Sequence, residues 1–125
     1  MTERQRTVAV IDDDEMMLMA IESLLDSLGF AAQVFASAEA FLEIGAAEEF
    51  DCVLLDIHLG GMSGFELHRR LKASHPTLPI IYMTGSNDQA TYAQALEAGC
   101  VAFLRKPFLT RPLQEALEKA TLGKE

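Results

Sequence analysis

Four acidic residues in a row, Asp12, Asp13, Asp14 and Glu15, stand directly behind the apolar run at 8–11. Carboxylates a few ångströms apart repel and raise one another's pKa unless a cation or solvent intervenes. The cluster is therefore a solvated turn or half of a cation site. Asp56 closes another apolar run, and Thr84 and Lys106 follow two more. Oxygen donors of this kind suit Mg²⁺, which keeps several waters and typically takes one or two carboxylates plus a phosphate oxygen. Zinc is disfavoured, because His58, His68 and His75 have no paired spacing with cysteine or with one another. A lysine would counter the charge of a phosphoryl group and a hydroxyl would donate a hydrogen bond to it. An aspartate beside the ion can act as nucleophile toward phosphorus. The chemistry these residue types point to is formation of a phospho-aspartate.

Such residues act together only if the elements carrying them end on one rim. Strands are predicted at 7–11, 31–35, 52–56, 79–83 and 100–104. Their nearly continuous apolarity suits a parallel sheet covered on both faces. Between them, Met17, Ile21, Leu24, Leu25 and Leu28 form one stripe of a first helix that Gly29 would stop. Ser37 opens a second helix carrying Phe41, Leu42 and Ile44. Ser63 with Glu66 and Ser86 with Gln89 read as capping boxes for a third and a fourth, and Thr110 as the cap of a fifth, with its stripe at Leu113, Ala116, Leu117 and Ala120. Asp14 reads as a cap of the first helix rather than a ligand. Five βα units predict an α/β fold, a (βα)5 doubly wound open parallel sheet of the flavodoxin-like kind. Ligands in such sheets bind outside the carboxyl ends of the strands, where strand order reverses. With strand order 2-1-3-4-5, Asp12, Asp13 and Asp56 would converge, with Thr84 and Lys106 arriving from the other side.

Composition sets the surroundings. At 125 residues and 50% hydrophobic content the chain reads as a single domain over 1–125, with the tail from about 121 to 125 a frayed end or the stump of a linker. A formal charge of −9 argues against direct nucleic-acid binding and against an anionic membrane surface. No stretch is long and apolar enough to span a bilayer. Cys52 and Cys100, in or beside apolar runs and without C-x-x-C spacing, read as small core residues of a protein in the reducing cytoplasm.

The segments "IDDDE", "LLDIHLGGMSG", "YMTG" and "FLRKPF", in this order and spacing, resemble the receiver domain of two-component response regulators over essentially the whole chain. The resemblance implies that Asp56 is the phosphoacceptor, charged by a histidine kinase or a histidine phosphotransfer protein. It implies Mg²⁺ held by Asp13 directly, by Asp12 through water, by Asp56, and by the backbone carbonyl of His58. Lys106 would pair with phosphoryl oxygens, before a cis peptide to Pro107. Thr84 would bond to the phosphoryl group and, with Phe103, carry a switch that remodels the face of the fourth helix, fifth strand and fifth helix. That face would engage an output or form a homodimer. The segments "SAEAFL" and "TGSND" resemble receivers that precede a helix-turn-helix DNA-binding domain. No enzymatic activity is implied beyond the domain's own phosphorylation and dephosphorylation.

Some residues depart from the family pattern or carry a plainer reading. Gly60 stands where the family often has proline, so the loop after Asp56 is expected to be loose. His58 and Ser86 occupy positions that in the family influence how readily water reaches the aspartyl phosphate, and Gly85 is expected to leave the pocket entrance open. Phe103 lacks the hydroxyl of the tyrosine often found there. His68 reads as part of a solvated helix face, and Met16, Met17 and Met19 as core and rim. A flavodoxin-like electron carrier is disfavoured, because "DDDE" occupies the place of its phosphate loop. An aspartate-nucleophile hydrolase is disfavoured because His58 stands where its second acid would be. A phosphorylation-independent binding module on a receiver fold remains the alternative.

Overall fold

The computed structural model describes residues 5–122. Along the chain run β1 (Thr7–Ile11), α1 (Glu15–Ser27), β2 (Ala31–Phe35), α2 (Ala38–Ile44), a single 3₁₀ turn (Ala47–Glu49), β3 (Cys52–Asp56), α3 (Gly64–Ser74), β4 (Ile80–Thr84), α4 (Gln89–Ala98), β5 (Ala102–Arg105) and α5 (Thr110–Thr121). All pairings are parallel and the order is β2-β1-β3-β4-β5. Of the expected frayed tail, Thr121 still belongs to α5 and is buried, and 123–125 lie outside the described residues.

The alternation of a strand divides the core in two. Ala9, Ile11, Val53, Leu55 and Tyr82 face α2, α3 and α4, meeting Phe41, Leu67, Leu71 and Ala95. Val8, Val10, Leu54, Ile81 and Met83 face α1 and α5, meeting Ile21, Leu25, Leu113 and Leu117. β1, β3 and β4 are buried on both sides, the physical reason their sequences show no polar alternation.

Local chemistry sets the ends of the helices. Asp14 caps α1 by accepting from the N–H groups of Met16 and Met17, Ser37 caps α2 through Ala40 N, and Ser63 caps α3 through Glu66 N. The box at α3 is only half formed, since the Glu66 carboxylate turns outward to Arg69 and Arg70. At α4 the cap is Asp88 and not Ser86: Asp88 accepts from Ala90 N, while Ser86 Oγ accepts from Asp88 N. Thr110 is the first residue of α5, not its cap; Leu109 occupies that place without a side-chain bond. β4 begins at Ile80 and β5 at Ala102, later than the apolar runs suggest. Gly99, at φ +88°, ends α4, and two residues are used in turning back into the sheet.

Two other readings change. Met16 and Met19 are 79% and 68% exposed, and of the three methionines only Met17 packs against the core. His68 is buried rather than solvated: it lies on the stripe Gly64, Leu67, His68 and Leu71, with Nδ1 2.5 Å from the Tyr82 hydroxyl. Burial lowers its pKa, helped by the charge of Lys72.

Gly64 fixes how α3 leaves the end of β3. A Cβ there would lie 2.5 Å from the carbonyl oxygen of Asp56 and 2.9 Å from Ile57 Cα, both backbone atoms that cannot swing aside. Gly64→Ala is expected to destabilise by about 1–2 kcal/mol, the overpacking cost exceeding the gain in helix propensity. Urea denaturation checks this, and an unchanged or raised midpoint refutes it.

Candidate functional site

The carboxyl ends of β1, β3, β4 and β5 carry the site. Asp12 follows β1 and is fully buried, with Oδ1 accepting from Asp14 N at 2.9 Å. Asp56, the last residue of β3, is buried too, and its Oδ1 accepts from His58 N at 3.2 Å. From the β5 side the Lys106 ammonium enters between them, 2.6 Å from Asp12 Oδ2 and 3.2 Å from Asp56 Oδ2. Asp13 is exposed, yet oxygens of Asp12, Asp13 and Asp56 all lie within 4.8 Å of one another. The structure thus brings together four of the residues singled out from the sequence. The peptide between Lys106 and Pro107 is cis.

The remaining candidates stand one step away. Thr84 ends β4 fully buried, its hydroxyl accepting from Ser86 N at 3.1 Å and its carbonyl from Lys106 N at 2.7 Å. Phe103 pairs in register with Tyr82 and is half-buried, resting edge-on against Tyr92 with ring centroids 5.0 Å apart. His58 lies in the loop after β3 with its ring exposed. That loop is not left loose by its two glycines: Gly60 N donates to Asp13 Oδ2 at 3.3 Å and Met62 N to Glu39 Oε2 at 2.9 Å. Sequence reasoning missed Glu39, which is remote in the chain and figures only within "SAEAFL", with no role of its own.

Electrostatics show what the pocket lacks. Burial pushes the Asp56 carboxyl up to about 6; Lys106 opposes the rise, Asp12 adds to it, and the His58 N–H opposes it. For Lys106, burial works against the ammonium, but hydrogen bonds and charges from Asp12 and Asp56 outweigh it and raise the pKa. Three carboxylates facing a single ammonium leave the pocket short of positive charge. The donor set is entirely oxygen, so a hard divalent cation fits it.

Acidic groups and a lysine beyond the carboxyl ends of a doubly wound sheet ordered β2-β1-β3-β4-β5 make a flavodoxin-like fold with a charged pocket at its ligand-binding rim. The chain matches the response regulator receiver domain family over residues 8–118 and belongs to it. It is 39% identical over 117 residues to the transcriptional regulatory protein FixJ of Bradyrhizobium diazoefficiens, covering 90% of this chain and 57% of that protein. To the response regulator protein TodT of Pseudomonas putida it is 34% identical over 120 residues, covering 96% and 53%. The chain thus spans about half the length of the curated relatives it matches. The BeF3-activated DrrB receiver domain superposes with a TM-score of 0.85 at 30% identity, over 94% of this chain and 97% of that one. The chain is accordingly a two-component receiver rather than a conventional enzyme, and membership implies a cognate histidine kinase. No helix among the described residues is long and apolar enough to cross a membrane.

Proposed function

We propose that residues 1–125 act as a single cytoplasmic receiver unit whose Asp56 takes a phosphoryl group from a phosphohistidine of a kinase or phosphotransfer protein. The observation that carries this is the Lys106 ammonium bridging Asp12 and Asp56, with Asp13 in reach. A carboxylate oxygen of Asp56 attacks phosphorus; the new P–O bond forms as the P–N bond breaks, and the imidazole keeps the electron pair and is protonated from solvent. Lys106 holds a phosphoryl oxygen by charge, and Thr84 turns its hydroxyl toward another. Asp13, Asp12 through water, Asp56 and the His58 carbonyl would hold Mg²⁺, which when bound neutralises charge on the phosphoryl oxygens.

Movement of Thr84 lets Phe103 leave its contact with Tyr92 and turn inward, altering the face of α4, β5 and α5. This shifts the balance between two existing states. That face then binds a second copy or an output element; FixJ, a transcriptional regulator by name, makes transcription the first output to examine. The domain itself touches no nucleic acid, in keeping with its −9 charge.

Intact mass after incubation with acetyl phosphate tests the reading. A single adduct is expected with Mg²⁺ and none with a chelator, and sedimentation of the same sample reports pairing. No adduct together with no Mg²⁺ binding overturns the proposal in favour of a phosphorylation-independent binding module.

A further inference from the structure

The loop 57–63 that follows β3 is held by three carboxylates. Asp56 accepts from His58 N, Asp13 from Gly60 N at 3.3 Å, and Glu39, from α2, accepts from Met62 N at 2.9 Å. The first two also serve the pocket, so oxygen lone pairs they give to the loop compete with those needed by a cation or by phosphorus. Glu39 lies outside the acidic cluster and has no such second claim.

The chain is shaped to receive this third anchor. Gly61 has φ +74°, a conformation that favours glycine, and a Cβ there would come within 2.8 Å of Glu39 Oε2. The carboxylate thus lies directly against the backbone at Gly61, where the positive φ rather than the contact calls for glycine. Glu39 sits in the first turn of α2, a turn held to the core by the Ser37 cap and the buried Ala38 and Phe41, while its own side chain is exposed. The Met62 N–H, its own N–H and the charge of Arg70 hold its carboxyl below the usual value, so it remains an anionic acceptor near neutrality.

We propose that Glu39 is a positioning residue of the phosphorylation site, keeping the loop and its His58 carbonyl in place when Asp13 and Asp56 turn to the metal and the phosphoryl group. This rests on the metal reading given above. Removing Glu39 lets the loop drift and weakens the cation site without touching any ligand. Partners that orient ligands in this manner typically change metal affinity by about 10–100-fold, and the exposure of Glu39 places it at the low end.

The test uses the whole chain with Glu39→Ala and Glu39→Gln, following exchange of the Met62 amide by NMR and titrating Mg²⁺. In Glu39→Ala, Met62 exchange should rise and Mg²⁺ affinity fall, each by about tenfold. Glu39→Gln keeps an acceptor oxygen and loses the charge, so it should restore most of both. Unchanged exchange in the alanine variant, or faster exchange with unaltered Mg²⁺ affinity, overturns the proposal. A glutamine variant no better than alanine also overturns it, assigning the effect to charge. If the wild-type chain binds no Mg²⁺, the metal reading fails on its own, and Met62 exchange still decides whether Glu39 anchors the loop.

Discussion

Replacing Lys106 by methionine is expected to destabilise the metal-free protein by about 2 kcal/mol near pH 7, and by much less near pH 5. Methionine keeps an apolar stem of similar length but removes the ammonium that sits between Asp12 and Asp56. Taking one partner from a fully buried ion pair costs about 3–5 kcal/mol, because the other charge is left without compensation. Lys106 is 15% exposed, which moderates the figure. Lowering the pH protonates Asp56 and relieves the repulsion, and adding Mg²⁺ replaces the missing charge. Urea denaturation at the two pH values, with and without Mg²⁺, checks this. Equal midpoints for wild type and variant near pH 7 would show that the ammonium contributes nothing to the fold.

Asp56→Asn should have the opposite effect on stability while abolishing phosphorylation. The folded pKa of Asp56 lies near 6, above its ordinary 3.8, so the folded state favours the protonated form. Its contribution is fully present below the ordinary value and is lost as pH rises through about 6. At neutral pH the ionised carboxylate therefore works against folding. The shift corresponds to at most about 3 kcal/mol, and coupling to Lys106 and Asp12 reduces the expected gain in the asparagine variant to about 1–2 kcal/mol. Asparagine still offers an oxygen to His58 N. The gain should vanish near pH 4, and intact mass should show no acetyl phosphate adduct. An adduct retained by the variant would move the phosphoacceptor elsewhere, and a lower stability near pH 7 would contradict the electrostatic account.

The three central strands were legible because their buried character is written as unbroken apolar runs, and strand ends carried Asp12, Asp56, Thr84 and Lys106 to one rim as the topology required. Features depending on which of two plausible groups wins a local bond were harder. Ser86 and Asp88 can each cap a helix, and the structure uses both, one to orient the other. His68 was misread because histidine counts as polar in a periodicity, although it fills the i+4 place of a buried stripe and finds the Tyr82 hydroxyl. Glu39 was invisible because its meaning arises only when α2 approaches Gly61 and Met62. The two adjacent glycines suggest a loose loop; only Gly61 of the pair takes a positive φ, and the sequence says nothing of the acceptors that restrain the segment.

The helices do not grip the sheet equally. α5 buries Leu113 and Leu117 with three smaller side chains, while α4 buries only Thr91 and Ala95 and leaves Tyr92 and Leu96 outside. Burying a leucine contributes about 1.5–3 kcal/mol, so lifting α5 would cost several times what lifting α4 does. The C-terminal end of α4 meets α3 where Lys72 Nζ donates to the Ala98 carbonyl at 3.2 Å, and its N-terminal half rests on β5 through the edge contact of Tyr92 with Phe103. The sheet is held firmly along one flank and lightly along the other, and the lightly held helix begins five residues after Thr84.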